Sequence, residues 1–121
     1  MAGDGGYLTT HVLDTARGVP AAGLRIEIFR LDGDGRESLG TFVTNEDGRT
    51  DAHVLPAEAF DVGEYELVFH AGDYVAGSGL SLAEGVFLDT VPIRFTIADS
   101  AAHYHVPLLL SPYGYATYRG S

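Results

Sequence analysis

The chain has no cysteine, which excludes disulfides, thiolate nucleophiles and thiolate metal sites and leaves the redox compartment unspecified. Basic residues are scarce: 7 Lys and Arg stand against 17 Asp and Glu, a formal net charge of −10. With no basic cluster to offset it, that balance argues against capture of a nucleic-acid backbone or an anionic membrane surface. No apolar run approaches bilayer length. The N-terminal Met-Ala-Gly-Asp-Gly-Gly is acidic and glycine-rich where a signal peptide would be basic and then apolar. A cytoplasmic protein is expected, bound neither to membrane nor to nucleic acid. At 121 residues the chain can build one hydrophobic core and is short for two. A single domain over residues 1–121 is expected, with residues 1–6 flexible.

What is present points to short strands and tight turns. Sixteen glycines and seven tyrosines accompany many Val, Leu and Ile. YLTTHVL, from Tyr7 to Leu13, alternates so that Leu8, Thr10 and Val12 share one face and Thr9, His11 and Leu13 the other. LRIEIFR repeats the pattern with Leu24, Ile26 and Ile28 together. LDGDGRE and NEDGR carry the Asp-Gly pairs of tight turns, and SLGTFVT between them reads as a third strand. A short strand is expected at TDAHV, then a clear half-buried one at GEYELVF, with Tyr65, Leu67 and Phe69 on one face and Glu64, Glu66 and Val68 on the other. Four glycines in HAGDYVAGSGLSLAEG limit any helix to a short one near Ala71 to Ala76. VPIRFTI, YHVPLLLS and YGYATY complete the strands. The absence of a repeating βα pattern implies a two-layer antiparallel sandwich. Pro107, inside a strand-like run, marks a bulge or a place where sheet pairing stops.

Parity also sorts the residues able to carry chemistry. Tyr104, Val106, Leu108 and Leu110 form a core face, so His103, His105, Pro107 and Leu109 lie on the opposite one. His11 likewise avoids the Leu8 and Val12 face. A histidine on an outward strand face is by default a solvated polar residue. Two functional readings compete with that default. Histidines at i and i+2 can chelate one ion, although no Asp, Glu or Cys stands in the run to anchor it. Histidine also titrates near working pH and passes protons to and from water. Arg49, after Glu46-Asp47-Gly48, can supply fixed positive charge to an oxyanion or an anionic substrate. Tyr118, Arg119 and Ser121 add hydrogen-bond donors beside these groups, or else form a frayed tail. His53 and His70 have no visible partners in sequence and are assigned to the surface.

With these residues in view, the chain closely resembles the 5-hydroxyisourate hydrolases, the transthyretin-related enzymes of urate breakdown. The resemblance runs from LTTHVLD through GVPAAG, TNEDGRT and GEYELVF to HYHVPLLLSPYGYATYRGS. The Tyr-Arg-Gly-Ser ending separates the hydrolases from the transthyretins, hormone carriers on the same fold. The resemblance implies a transthyretin-like two-sheet antiparallel β-sandwich of seven to eight strands with one short helix. It implies catalytic roles for His11, Arg49 and His105, and substrate binding by His103, Tyr118, Arg119, Gly120 and Ser121. It further implies a homotetramer, a dimer of dimers whose active sites lie where the dimers meet, acting on 5-hydroxyisourate with no metal and no organic cofactor. A noncatalytic small-molecule carrier is the alternative on this fold. A structural module of the adhesin or carboxypeptidase-associated kind is another, but it does not account for the last twenty residues.

Overall fold

A computed structural model describes residues 3–80, 82 and 85–121. The strands are β1 (Tyr7–Asp14), β2 (Val19–Pro20), β3 (Arg25–Asp32), β4 (Gly35–Val43), β5 (Gly63–Phe69), β6 (Val91–Ile97), β7 (His103–Ser111) and β8 (Gly114–Thr117); one helix, α1, spans Ala71–Gly77. They form two four-stranded sheets, β2-β1-β7-β8 and β4-β3-β5-β6. The expected sandwich is therefore present. Its neighbours pair antiparallel with one departure, the parallel pair β1 and β7, which arises because β7 enters from the opposite sheet rather than through a hairpin. Tyr104 secures that crossover: its hydroxyl accepts from the backbone N–H groups of Ala98 at 3.0 Å and Asp99 at 3.2 Å.

The core lies between the sheets and follows the alternation. Leu8, Val12, Ile26, Ile28, Tyr65, Leu67, Phe69, Tyr104, Val106, Leu108 and Leu110 are all buried there. Thr10 shares this inner face and is buried too; its hydroxyl donates to the Val106 carbonyl at 2.7 Å, so the polar atom is satisfied within its own sheet. The helix occupies the expected position and is tied to β1 through Asp14. That buried carboxylate accepts from the Arg17 backbone N–H and Nε, both at 3.0 Å, and from the Tyr74 hydroxyl at 2.7 Å.

Three local expectations need correction. TDAHV forms no strand: among the described residues only Leu55, the next residue, makes a bridge, to Leu8. The segment runs along the edge of β1, where Val12 donates to the Gly48 carbonyl and Leu8 to the Leu55 carbonyl, both at 2.9 Å, with turns between that break any ladder. β5 is buried on both faces from Tyr65 onward, because Arg36 and Arg94 reach over from β4 and β6 and clamp Glu66, each at 2.8 Å. His70 is not a solitary surface residue; its Nε2 lies 2.7 Å from Glu27 Oε1 and the ring is largely covered. Of the six N-terminal residues, 1 and 2 lie outside the described set, while Gly3 and Gly6 donate to the carbonyls of Ala57 and Ser100.

Pro107 matches its expectation. Pairing of β7 with β8 ends at Leu108 and Thr117, and Pro107 follows as the next position toward the N-terminus of β7. The carbonyls of His105 and Pro107 both point toward β8, accepting from the Gly120 N–H and the Thr117 hydroxyl at 2.7 Å each. The donorless proline nitrogen therefore faces β8 as well, and the ladder stops there.

Removing the Tyr74 hydroxyl (Tyr74→Phe) takes a donor from a buried carboxylate and should destabilise the fold by about 1–3 kcal/mol in chemical denaturation. No measurable loss would show that Arg17 alone satisfies Asp14. Burial pushes the Asp14 carboxyl up, but Tyr74 and Arg17 outweigh it and hold the group below its ordinary 3.8. The Arg94 hydrogen bond, with Arg36 and against burial, holds Glu66 below 4.5. Both groups bind protons more weakly folded than unfolded, so their stabilisation is complete above the ordinary carboxylate range and is lost as pH falls through the folded values. Glu66→Gln should accordingly flatten the decline in stability below about pH 4.5 that the parent chain shows.

Candidate functional site

The site is built on the outer face of the β2-β1-β7-β8 sheet. Because β1 and β7 pair in parallel with Thr9 beside His105 and Tyr7 beside His103, outward side chains of the two strands stand next to each other. The Thr9 hydroxyl lies between two imidazoles, 2.6 Å from His103 Nε2 and 2.8 Å from His105 Nδ1. Tyr7 is layered between two further rings: its centroid is 4.2 Å from that of His103 and 4.3 Å from that of His53, with interplanar angles of 12° and 15°. His53 thus has a partner after all. Both rings meet Tyr7 face to face at near-contact distance.

His11 and Arg49 are brought in by the turn at Asn45–Arg49. Asn45 organises that turn by accepting on its side-chain oxygen from the Asp47 and Arg49 backbone N–H groups at 2.9 and 3.2 Å, and its own N–H donates to the Arg49 carbonyl at 2.7 Å. Gly48 is required twice over. Its φ is +74°, and a Cβ there would lie 2.5 Å from the Val12 carbonyl oxygen and 3.3 Å from the His11 ring. The turn can approach β1 only because that Cβ is missing, and the approach places Arg49 within electrostatic reach of both His11 and His105.

The surroundings of the site lower the proton affinity of His11, His103 and His105. Burial first, and then the Arg49 charge, pushes His11 below its ordinary 6.5, against a partial pull upward from the Asp47 backbone carbonyl and carboxylate. His105 is lowered by burial, then by Arg49, His103 and His11. His103 is lowered by burial and by His53. Each is therefore available as a proton acceptor near neutral pH. No group of three His, Asp or Glu side chains that could hold a metal ion occurs among the described residues, and His103 Nε2 and His105 Nδ1 are both engaged by Thr9.

The four terminal residues divide between the two faces. Gly120 touches the site directly: it bridges to His105, its N–H donates to the His105 carbonyl at 2.7 Å, and a Cβ on it would come within 2.4 Å of His105 Cδ2. Arg119 turns the other way, with its guanidinium 4.1 Å above the Tyr104 ring on the inner side. Tyr118 and Ser121 are exposed. The structure thus joins His11, Arg49, His103, His105 and Gly120, and keeps the Arg119 charge away from them within the single chain.

Sequence reasoning missed Thr9, Tyr7 and His53. The alternation put Thr9 on the face of His11, but a threonine on a strand carries no chemical signal of its own, and the contact depends on a register spanning ninety-six positions. A cavity of about 790 Å³ on the other sheet, lined by Arg30, Arg36, Glu66 and Arg94 among others, lies apart from the histidines; its buried carboxylate already carries two arginines.

Comparison with known proteins gives a consistent result. The HIUase/Transthyretin family matches residues 8–120. A "5-hydroxyisourate hydrolase" of Mesorhizobium japonicum is 65% identical over 118 residues, covering 98% of this chain and 94% of the relative. The solved 5-hydroxyisourate hydrolase of Klebsiella pneumoniae superposes with a TM-score of 0.80 at 34% identity, covering 96% of this chain and 99% of that one. Transthyretin from Sparus aurata superposes with a TM-score of 0.83 at 25% identity, covering 93% and 95%. The match across nearly the whole length, on a two-sheet frame with the same strand architecture, makes this chain a member of the HIUase/Transthyretin family.

Proposed function

We propose that the protein is a 5-hydroxyisourate hydrolase, converting 5-hydroxyisourate to 2-oxo-4-hydroxy-4-carboxy-5-ureidoimidazoline. The observation that carries this reading is the convergence of two depressed-pKa histidines, His11 and His105, on the charge of Arg49. Extensive identity to relatives named for that reaction supports the choice of substrate.

In the mechanism His105, with His11, holds and deprotonates a water that attacks the lactam carbonyl. The tetrahedral oxyanion that forms needs a nearby positive charge, which Arg49 supplies. Arg49 is exposed, and while its backbone is bonded to Asn45, its guanidinium makes no hydrogen bond or ion pair among those seen for the described residues, so its charge is not spent elsewhere. His103 and the Tyr118 to Ser121 segment bind the substrate. The reaction adds water across one C–N bond and needs no redox partner.

The assembly proposed is a homotetramer in which two dimers meet through this outer sheet face. Leu13, Leu109 and the histidines lie on that face only half-buried or exposed within one chain, and a second copy would cover them. In the same arrangement Tyr118 and Ser121, free of the site in the single chain, face a neighbouring subunit. The proposed location is the cytoplasm; no helix among the described residues is long and apolar enough to cross a membrane.

The deciding experiment generates 5-hydroxyisourate from urate and follows its absorbance decay with and without the protein. Decay at the spontaneous rate would remove the enzyme and leave the small-molecule carrier. Given activity, His105→Asn and Arg49→Ala should each lower kcat by about 10²–10³-fold while the thermal midpoint stays close to that of the parent. Because His11 and His105 must be neutral to accept a proton and are held below 6.5, kcat should be flat above pH 6.5 and fall on the acid side; a plateau that begins well above that value would contradict the assignment. Gly120→Ala, which drives a methyl group into His105, should reduce turnover in the same assay with little change in fold.

A further inference from the structure

The contact least explained by the scheme above is the Thr9 hydroxyl, which stands between His103 Nε2 and His105 Nδ1 at 2.6 and 2.8 Å. A hydroxyl has one proton to give and two lone pairs to receive. If it donates to one ring, it must accept from the other. The protonation of Nδ1 on His105 is therefore set through Thr9, and with it the state of Nε2.

His105 is gripped along both edges. Its Nδ1 edge meets Thr9 of β1 and its Cδ2 edge meets Gly120. With Nδ1 engaged by Thr9, Nε2 is the ring nitrogen left for a water. It serves as a base only when it carries no proton, which requires Nδ1–H. His103 is held differently, its plane fixed against Tyr7, which is backed in turn by His53.

We propose that Thr9 is the positioning residue of this site, accepting from Nδ1–H of His105 and donating to Nε2 of His103, so that the two rings form a short proton wire with Nε2 of His105 as its entry. The inference rests on the hydrolase reading for its catalytic meaning, not for its hydrogen-bond geometry. When His105 Nε2 takes a proton from water, its Nδ1 proton passes to the Thr9 oxygen and the Thr9 proton passes to His103 Nε2. The hydroxyl is regenerated, His105 returns to neutrality as its other tautomer, and the positive charge rests on His103, matching the hydroxide delivered to the substrate. On the return of the proton to the leaving nitrogen the same steps run backward.

The surroundings favour that direction. Groups facing the pair are Arg49 from the turn, His11 from β1, His53 from the segment after the turn and Tyr7 stacked on His103. Arg49 acts on His105 and His11 but is not among the charges acting on His103. Burial and His53 oppose a proton on His103, but one carried there is clear of the Arg49 repulsion that bears on His105 and lies against the face of Tyr7, where a cation is attracted.

Thr9→Val removes the hydroxyl at nearly constant shape, and Thr9→Ser restores it. In the substrate-free protein, the ¹⁵N shifts of the His105 ring above its titration should report the Nδ1–H form for the parent and Thr9→Ser, and a shift toward the Nε2–H form for Thr9→Val. This readout does not depend on what the protein hydrolyses. In the hydroxyisourate assay, Thr9→Val should lose roughly 10²-fold in kcat with KM little changed, and Thr9→Ser should recover to within about tenfold of the parent. Turnover of the parent in mixtures of H₂O and D₂O should curve with isotope fraction, as more than one proton moves. An Nε2–H tautomer of His105 in the parent overturns the proposal outright. So does a Thr9→Val protein with the parental tautomer and kcat, and if that variant does not fold, a linear isotope dependence in the parent does the same. Absence of any hydroxyisourate turnover, with the expected tautomer, would instead sink the hydrolase reading and leave the geometry standing.

Discussion

Everything at the site depends on the parallel pairing of β1 with β7. Eight consecutive positions, from Tyr7 beside His103 to Asp14 beside Leu110, are in register. A slip of one residue would turn every outward side chain inward. The register is pinned from the inner side, where Leu8, Val12, Val106, Leu108 and Leu110 fill the core and Thr10 donates to the Val106 carbonyl. The outer side carries the chemistry and contributes little to holding itself in place. Core packing therefore supplies the geometry, and the histidines are free to be chosen for proton transfer rather than for stability. The same pairing ties Thr9 to His105 and leaves His11 one step further along, within reach of the glycine turn.

A second constraint comes from Pro107. Its missing N–H faces β8 and ends the β7–β8 ladder at Leu108 and Thr117, yet the chain returns to β7 three residues later, with Gly120 bonded to the His105 carbonyl. Between those two attachments the tail bows away, and Arg119 swings to the inner side over Tyr104. A continuous ladder would have kept the tail flat against the sheet edge. The proline interrupts it beside His105, and the close contact at Gly120 leaves no room for a side chain there. Glycine is needed at this position for clearance rather than for any unusual backbone angle.

How much of this is legible in the sequence depends on the range of the interaction. The inner and outer faces of β1 and β7 follow from alternation within a single strand, and they are recovered residue by residue. The Asn45–Arg49 turn is equally local, since its Asp-Gly pair and its asparagine act within five positions. TDAHV has the local character of a strand, but a strand requires a continuous edge to pair with, and β1 spends that edge on separate contacts to Gly48 and Leu55. Glu66 alternates as a solvent residue and is buried because arginines from two other strands close over it. His53 and His70 each find a partner more than forty residues away, a distance over which residue spacing carries no information. Thr9 is the most consequential of these cases: its face is predictable, while its role emerges only when the second strand is in place.

The distribution of positive charge completes the picture. All seven basic residues are arginines, and most are committed: Arg17 to Asp14, Arg36 and Arg94 to Glu66, Arg30 to the Tyr65 hydroxyl and the Val62 carbonyl, Arg25 to Glu27 and His70, Arg119 to the Tyr104 ring. Arg49 faces neutral imidazoles instead. In a chain with a net charge of −10, an arginine whose guanidinium has no hydrogen-bond, ion-pair or ring partner among the described residues is the exception. A carboxylate beside it would neutralise it and would also raise the affinity of the neighbouring histidines for protons, spoiling both functions at once. The Asp47 carboxylate does act on His11, where burial and Arg49 outweigh it, and no carboxylate is among the charges acting on His105, so the site keeps a cation next to proton acceptors. That pairing is unfavourable for binding protons at rest, and in the proposed reaction it becomes favourable as an oxyanion forms within reach of Arg49.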